Sequence, residues 1–280
     1  QGWHRSEVYG CFGKVMDQVA AEVEGGTMGK KLAFVASRGT KARAARDVLV
    51  DRYGHVSEAE ADVIVALGGD GFMLATLHRT QHLKAPVYGM NRGTVGFLMN
   101  EYHETDLAER LETAETALIN PLSMRATRLD GKVTEALAIN EVSLLRAGPQ
   151  AAKLRISVDG KVRMEELVCD GALVSTPAGS TAYNYSAHGP VLPIDSDVLA
   201  LTAIAPFRPR RWRGALVPVA SHVQFDVLEP EKRPVMADAD SRSVPNVISV
   251  EIVSEPKIVH RLLFDPGHGL EERLIREQFV

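Results

Sequence analysis

The sequence has few of the features that mark disulfide-stabilised, membrane-spanning or zinc-binding proteins. Only two cysteines occur, Cys11 and Cys169, and they lie far apart and outside any C-x-x-C pattern. This argues against a disulfide scaffold and against a zinc knuckle. No apolar run approaches the roughly 20 residues that a membrane-spanning helix needs, and the N-terminus lacks a charged start followed by an apolar block. We therefore expect a soluble protein of the reducing cytoplasm, with no membrane partner.

Charge of one sign is also lacking. The 32 Lys and Arg residues and the 36 Asp and Glu residues are well mixed and leave a formal net charge of −4. No broad cationic field exists to bind nucleic acid or an anionic membrane. With 280 residues and 45% hydrophobic content, the chain is long enough to bury a core in one large domain or two modest ones. Small-molecule chemistry is the function class that this composition favours.

Strand and helix patterns alternate in the first part of the chain. Apolar strands are predicted at residues 31–36, 62–67 and 86–90. Helical stretches follow them at residues 40–53, 72–81 and about 104–117. This alternation is typical of a parallel sheet with covering helices, so we predict an α/β domain over residues 28–121. Residues 1–27 show no clear period and are expected to be an N-terminal extension, with Met28 as the natural start.

The pattern changes after Pro121, where strands follow one another with turn signals between them. Asp159-Gly160 separates two such runs and predicts a tight hairpin. Further strands are predicted at residues 199–205, 216–219, 222–228, 247–253 and 258–264. We predict a β-rich domain over residues 122–256. A C-terminal segment, residues 257–280, has helical spacing near its end and is expected to pack back onto the first domain.

One loop carries both glycines and an acid. The strand pattern at residues 62–67 runs directly into Gly68-Gly69-Asp70-Gly71, and a helix pattern follows. Glycines let a backbone approach a phosphate, and a helix N-terminus favours negative charge. A carboxylate beside phosphates needs a metal ion to neutralise it or a proton to accept, which makes Asp70 a candidate general base or metal-linked acid. The alternative is a plain strand-to-helix turn in which Asp70 caps the helix.

Three later stretches accompany this loop. They are Gly89-Met90-Asn91 with Gly93 and Gly96-Phe97-Leu98, the pair Asn140-Glu141, and DGALVSTPAGSTAYNYSAHGPVLP at residues 170–193. Together with the GGDG loop, they resemble the signature of NAD kinases, within a superfamily that includes diacylglycerol kinases and phosphofructokinases. The resemblance extends from about Lys31 to the C-terminal tail.

The resemblance implies a reaction and its reactants. The expected enzyme transfers the terminal phosphoryl group of ATP to the 2′-hydroxyl of the adenosine ribose of NAD and so makes NADP. Mg²⁺ is the expected divalent metal, and polyphosphate is an alternative phosphoryl donor. No residue is assigned as a metal ligand. The resemblance also implies a homodimer or homotetramer formed through the strand-rich domain.

The resemblance also assigns roles to residues of this sequence. Asp70 corresponds to the aspartate at the reacting hydroxyl, within the loop of Gly68, Gly69 and Gly71. Asn140 and Glu141 correspond to the pair that holds ribose hydroxyls, and an amide beside a carboxylate suits a vicinal diol because the amide donates and both groups accept. The other expected dinucleotide contacts are Phe97 at the adenine, Asp170 near the nicotinamide, Thr181, Ala182, Tyr183 and Ser186 around both moieties, and a late acid, Asp240 in preference to Asp238.

Two other functions fit part of this pattern. A lipid kinase of the diacylglycerol kinase type shares GGDG, although threonine typically follows the motif there and Phe72 follows it here. A non-catalytic sensor that binds NADP(H) would use the same pocket without transferring phosphate. The presence of Asp70, Asn140 and Glu141 favours an active enzyme.

Overall fold

The computed structural model describes residues 29–93, 96–269 and 272–273. Its strands form sheets of five, six and six strands, which divide the described chain into an α/β part and a β-rich part. The predicted fold class is therefore confirmed. The extension expected at residues 1–27 lies outside the described residues, as does nearly all of the helical segment expected near the C-terminus.

The sheet of the α/β part is mainly parallel. In spatial order it contains β1 (Leu32–Ala36), β2 (Val63–Gly68), β3 (Val87–Asn91), β17 (His260–Phe264) and β4 (Glu115–Ile119). Its helices are α1 (Thr40–Tyr53), α2 (Asp70–Thr80) and α3 (Leu107–Thr113). Residues of α2 pack on one face, and residues of α1 and α3 pack on the other. Every residue of β2 is buried, as expected for a central parallel strand that is covered on both faces.

The helix expected at about 104–117 is shorter than predicted. It ends at Thr113, and the next residues form β4, which pairs antiparallel with β17. The prediction of helix over Ala117 was wrong because the pairing partner of this residue, Leu262, lies far along the chain. On its other side β17 pairs parallel with β3, so the chain returns from the β-rich part to complete the first sheet.

The β-rich part is a sandwich of two antiparallel sheets. The first contains, in order, β12 (Gly214–Pro218), β11 (Val198–Ile204), β10 (Gly171–Ser175), β7 (Glu141–Arg146), β14 (Val235–Ala239) and β15 (Arg242–Val244). The second contains β6 (Val133–Ala138), β5 (Leu122–Arg128), β16 (Val247–Ser254), β13 (Val223–Val227), β8 (Ala152–Val158) and β9 (Lys161–Cys169). Inward-facing residues of both sheets, including Val174 and Phe225, form one apolar core.

The tight hairpin predicted from Asp159-Gly160 is confirmed. Val158 pairs with Lys161, so these two residues alone connect β8 to β9. Both have positive φ, 52° for Asp159 and 72° for Gly160. Two successive residues with positive φ form the turn whose twist matches that of paired antiparallel strands.

The two parts meet where β10 ends. A 3-10 turn (Ala178–Thr181) and a short helix α4 (Tyr183–Ser186) follow β10. Ile139 and Ala178 pack in one apolar cluster with Met73, Leu77 and Leu98 of the α/β part. This contact brings the GGDG loop close to the start of β7. Among the described residues, none of the helices combines the length and the apolar character needed to cross a lipid bilayer.

Candidate active site

The glycine loop connects β2 to α2. β2 ends at Gly68, Gly69 is extended with φ −124° and ψ −175°, and α2 begins at Asp70. The N–H groups in the first turn of a helix have no acceptor within that helix. Gly71 is exposed, and a side chain there would meet nothing within 4 Å. The loop therefore offers an open helix N-terminus with one carboxylate at its first position, which suits a bound phosphate.

The carboxylate of Asp70 is held by backbone groups. Its Oδ2 accepts a hydrogen bond from the N–H of Phe97 at 2.6 Å, and its Oδ1 accepts one from the N–H of Leu98 at 2.9 Å. Gly96 is so close that an added Cβ would lie 2.5 Å from Oδ1. The ring of Phe97 is partly buried against the apolar cluster between the two parts of the chain. The sequence-predicted residues Asp70 and Phe97 are thus brought together.

Asn140 lies immediately before β7, and its backbone is enclosed by the turn after β10. The carbonyl oxygen of Asn140 accepts hydrogen bonds from the N–H of Thr176 at 2.9 Å and from Oγ1 of Thr176 at 3.2 Å. A Cβ added to Gly179 would lie 2.2 Å from the same oxygen, so only glycine allows this approach. Thr176 and Gly179, after β10, therefore hold the backbone of Asn140, directly before β7 begins at Glu141.

One carboxylate oxygen of Glu141 accepts no hydrogen bond from the residues that the structure describes. This atom, Oε2, is buried and has no hydrogen-bond partner within residues 29–93, 96–269 and 272–273. Burial raises the pKa of Glu141 to about 7, the charge of Asp240 adds to this, and a hydrogen bond from the backbone N–H of Tyr183 partly offsets it. A buried acceptor without a partner is uncommon and points to a group that is completed by a ligand.

The face of the β7, β10 and β14 sheet that points away from the sandwich core is partly exposed at Glu141 and Asp238 and is buried at Ser143 and Ser175. Glu141, Ser143 and their neighbours Ser175 and Asp238 alternate along these strands with core residues such as Val142. Because side chains alternate across a strand, the four polar residues share the face away from the sandwich core. This face is therefore polar, and Glu141 and Asp238 are its partly exposed members.

Tyr183, at the start of α4, lies beside Glu141, and its backbone N–H donates a hydrogen bond to that carboxylate. Burial raises the pKa of its hydroxyl, and the charges of Glu141, Asp170 and Asp238 raise it further. Asp170 lies at the opposite end of β10 from Ser175, about 16 Å away at the usual rise per strand residue.

The other predicted dinucleotide contacts are Thr181, Ala182 and Ser186, which lie close to Tyr183 in the sequence, and Asp170, which directly precedes β10. Thr181 and Ala182 precede it and are partly exposed, and Ser186 is exposed with its hydroxyl 3.5 Å from the carbonyl of Ala182. Asp170 is about half-exposed, and its Oδ1 accepts a hydrogen bond from Nε of Arg146 at 2.5 Å.

Asp240 lies behind Asn140 and Glu141. Its side chain is 4% exposed, and its carboxylate accepts hydrogen bonds from the N–H groups of Ile139 at 2.7 Å and Asn140 at 3.0 Å. Nε2 of His78 lies 2.6 Å from the same carboxylate. Asp238 is more exposed and accepts a hydrogen bond from the hydroxyl of Ser243. His78 was missed from the sequence, because a single histidine within a helix gives no local sign of a partner 162 residues away.

A basic cleft of about 1050 Å³ borders the glycine loop on the side of the α/β part. Its lining contains the cationic residues Lys41, Arg92, Arg110 and Arg273 and the acidic residues Glu101, Asp106 and Asp265. Arg110 is paired with Asp265, which leaves Lys41, Arg92 and Arg273 as its other cationic residues. The guanidinium of Arg92 lies 4.1 Å from the centre of the Tyr102 ring, and its Nε is buried without a partner in the described part of the chain. Such a cluster suits phosphate groups, and the sequence alone did not reveal it.

The fold and the site define a class of enzyme. A carboxylate in a glycine loop at a helix N-terminus, lysine and arginine side chains in a nearby cleft and a buried carboxylate oxygen without a donor in the described residues are together consistent with a phosphotransferase that acts on an alcohol. Comparison with protein families gives a narrower answer. Residues 22–117 match the ATP-NAD kinase N-terminal domain, and residues 139–252 match the ATP-NAD kinase C-terminal domain. The chain belongs to the NAD kinase family, which confirms the resemblance inferred from the sequence.

Individual relatives agree with this assignment. A protein of Cereibacter sphaeroides named NAD kinase is 71% identical over 251 residues, which cover 90% of this chain and 99% of the relative. The crystal structure of an NAD kinase from Archaeoglobus fulgidus in complex with ATP has a TM-score of 0.70 at 25% identity and covers 89% of this chain and 97% of that one. Yeast NADH kinase complexed with NADH has the same fold, with a TM-score of 0.76 at 20% identity over 89% of this chain and 87% of that one.

Proposed function

We propose that this phosphotransferase moves the terminal phosphoryl group of ATP to the 2′-hydroxyl of the adenosine ribose of NAD, giving NADP and ADP. The observation that carries the proposal is the buried, unpartnered Oε2 of Glu141 beside Asn140. A carboxylate that lacks a donor is completed by a hydroxyl group, and a ribose supplies two adjacent hydroxyls. Family membership identifies the ribose as that of a dinucleotide.

The dinucleotide lies beside Glu141 at the start of β7 and Tyr183 at the start of α4, which are hydrogen-bonded to each other. Asn140 and Glu141 hold its adenosine ribose, and Phe97 stacks on the adenine. Thr181, Ala182, Tyr183 and Ser186 border the ligand between adenosine and nicotinamide, and Asp170 lies near the nicotinamide end. Asp240 supports this site from behind.

ATP approaches from the basic cleft. Its terminal phosphate meets the glycine loop of Gly68, Gly69 and Gly71 at the start of α2, where backbone N–H groups and the helix N-terminus favour negative charge. Lys41 and Arg92 supply positive charge along the cleft. Polyphosphate has the same repeating chemistry, so the cleft also fits that donor.

Asp70 engages the hydroxyl that reacts. The 2′-oxygen forms a bond to the terminal phosphorus, the bond from that phosphorus to the bridging oxygen of ATP breaks, and ADP leaves. The proton of the hydroxyl moves to a carboxylate oxygen of Asp70. Each oxygen of Asp70 accepts one backbone N–H and retains a second lone pair for the hydroxyl. Positioning and electrostatics provide most of the rate acceleration.

A divalent metal fits this site as a companion of the nucleotide. Within the described residues no three His, Cys, Asp or Glu side chains converge to form a cage of protein ligands. Mg²⁺ is commonly held by one or two carboxylates together with substrate phosphates, and Asp70 is the acid that the glycine loop provides for this. When bound, Mg²⁺ would neutralise charge on the transferred phosphoryl group.

The assembly and location of the enzyme follow the family pattern. We expect a cytoplasmic homodimer or homotetramer whose subunits meet through the β-rich part. Exposed apolar side chains support this, since Leu216 on the edge strand β12 is 54% exposed and Phe207 nearby is 56% exposed. Large exposed apolar side chains at a sheet edge are typical of contact surfaces.

A panel of acceptors and donors tests the proposal. Purified enzyme with Mg²⁺ and ATP is given NAD, NADH or diacylglycerol, and products are separated by chromatography. NADP from NAD is the expected result, and replacing ATP by polyphosphate determines the donor. Phosphorylation of diacylglycerol without that of NAD would establish a lipid kinase. Binding of NADP without any phosphoryl transfer, under every donor and metal, would establish a sensor.

A further inference from the structure

One buried carboxylate joins the two parts of the chain. Nε2 of His78, on α2, lies 2.6 Å from Oδ2 of Asp240, at the turn between β14 and β15. The side chain of Asp240 is 4% exposed and that of His78 is 27% exposed, so the bond is largely shielded from water. A charge-assisted bond in such surroundings is stronger and better ordered than one at the surface.

Each partner in this bond is connected to a different half of the active site. His78 lies eight residues after Asp70 on the same helix, about 12 Å along its axis. Asp240 binds the backbone N–H groups of Ile139 and Asn140, directly before Glu141. A continuous path therefore runs from the carboxylate that engages the hydroxyl to the residues that hold the ribose, through one helix and one carboxylate.

The surroundings of His78 leave Asp240 as the group that fixes its ring. His260, at the start of β17, packs edge-on against His78 with ring centroids 6.4 Å apart. Burial, followed by the charge of His78, lowers the pKa of His260 to about 4, so His260 is neutral near pH 7. Neutral His260 does not compete with His78 for the carboxylate of Asp240. Glu141, whose pKa is raised in part by the charge of Asp240, is the next acid in this cluster.

We propose that His78 is a positioning residue for phosphoryl transfer. Its bond to Asp240 sets the location of Asn140 and Glu141 relative to Asp70, across the boundary between the α/β part and the β-rich part. Phosphoryl transfer requires this, because the ribose that reacts is held by the β-rich part and the phosphates by the α/β part. A displacement of about 1 Å between reacting groups lowers the rate by up to about 100-fold. The inference rests on the proposed NAD phosphorylation.

Three variants at position 78 test this role. His78→Leu removes the donor, and His78→Asn keeps a polar side chain that is too short to reach Asp240. His78→Gln places an amide N–H where Nε2 of histidine lies. We expect kcat to fall about 10- to 100-fold in the first two variants and to return to within about threefold of wild type in His78→Gln. The Kd for NAD should change little in all three, because each part retains its own ligand contacts.

Arg79→Ala is the matched control, since Arg79 is the next residue on α2 and its guanidinium binds Glu58 at the surface. It should leave kcat unchanged. A purely structural role for His78 predicts a lower Tm with an unchanged kcat per folded enzyme in His78→Leu and His78→Asn, and that result would overturn the inference. Failure of His78→Gln to restore kcat while Tm is restored would also overturn it.

Amide hydrogen exchange supplies a readout that does not depend on activity. The N–H groups of Ile139 and Asn140 should exchange faster in His78→Leu and His78→Asn than in wild type, His78→Gln or Arg79→Ala. Equal exchange in all five proteins would contradict the link even if kcat changed. Absence of NADP formation by the wild type would instead refute the proposed function. The exchange experiment would still decide whether His78 orders the backbone of Ile139 and Asn140.

Discussion

The carboxylate of Asp70 accepts a hydrogen bond of 2.6 Å from the backbone N–H of Phe97. The adjacent N–H of Leu98 binds the other carboxylate oxygen at 2.9 Å. The carboxylate proposed to accept the proton is therefore oriented by two backbone N–H groups. Its direction depends on the path of residues 96–98, which pass close enough to Asp70 to exclude a side chain at Gly96.

This arrangement makes Gly96 a sensitive position. A methyl group at Gly96 would lie 2.5 Å from Oδ1 of Asp70, so Gly96→Ala must displace the carboxylate or the segment that binds it. We expect kcat to fall about 100-fold with a small change in the Kd for NAD, measured by steady-state kinetics and calorimetry. Gly29→Ala, where an added Cβ meets nothing within 4 Å, is the control. An unchanged kcat for Gly96→Ala would show that the contact is not needed for turnover.

Glu141 should make dinucleotide binding depend on pH. Its pKa is raised to about 7, chiefly by burial and then by the charge of Asp240. Below pH 7 the protonated carboxyl loses acceptor capacity, so the KM for NAD should rise as pH falls from 8 to 6. In Glu141→Gln the KM should be higher at pH 8 and nearly constant over this range. A wild-type KM that is independent of pH would exclude an ionised Glu141 as the ribose acceptor.

The raised pKa of Glu141 also predicts how the stability of the folded protein depends on pH. The folded state binds a proton at Glu141 more tightly than the unfolded state, whose pKa is near 4.5. Stability is therefore lost as pH rises from about 4.5 to about 7. Glutamine does not ionise, so the Tm of Glu141→Gln relative to wild type should increase across this window and level off above pH 7. Thermal unfolding at pH 5, 6, 7 and 8 measures this difference, and a constant difference would contradict the raised pKa.

Asp265, directly after β17, binds side chains of β3 and α3. It pairs with Arg110 at 2.5 Å and accepts a hydrogen bond of 2.6 Å from the hydroxyl of Tyr88. Burial alone would raise the pKa of Asp265, but the hydrogen bonds from Arg110 and Tyr88 and the charges of Arg110 and His268 outweigh burial and lower it. The stabilisation is therefore present above the unfolded pKa of 3.8 and is lost as pH falls through the lower folded pKa.

Replacing this carboxylate should destabilise the protein. Asp265→Asn leaves the Arg110 charge without its partner at a site where both side chains are less than one fifth exposed, 16% and 17%. We expect a loss of roughly 3 kcal/mol in the free energy of unfolding at pH 7, measured in urea. The difference between the free energies of unfolding of wild type and Asp265→Asn should become smaller below pH 3.8. A loss at pH 7 within error of zero would show that the pair contributes nothing net.

Local sequence patterns correctly predicted the secondary-structure elements that depend on residues close together in the sequence. The bounds of α1 match the predicted helix, and the Asp159-Gly160 turn places β8 against β9 as expected. The apolar run before the glycine loop forms the buried strand β2. In each case the periodicity or the turn chemistry lies within about 15 residues of sequence.

What the sequence did not reveal depends on distant partners. The sequence pattern predicts the end of a helix where β4 lies, because the pairing of β4 with β17 joins residues about 145 positions apart. The bond between His78 and Asp240 spans 162 residues. The candidate site residues were identified through the resemblance to NAD kinases, but their surroundings, such as the unpartnered oxygen of Glu141, require the packed structure.

The most direct test of the account is NADP formation by Asp70→Asn beside the wild type, with NAD, ATP and Mg²⁺ and with the Kd for NAD measured on both proteins. Asparagine keeps the size of the side chain but removes the negative charge and the proton-accepting oxygen. We predict that kcat falls by at least about 100-fold while the Kd for NAD stays within about threefold of wild type. Near-normal turnover by Asp70→Asn would contradict the assigned role of Asp70 and the mechanism built on it.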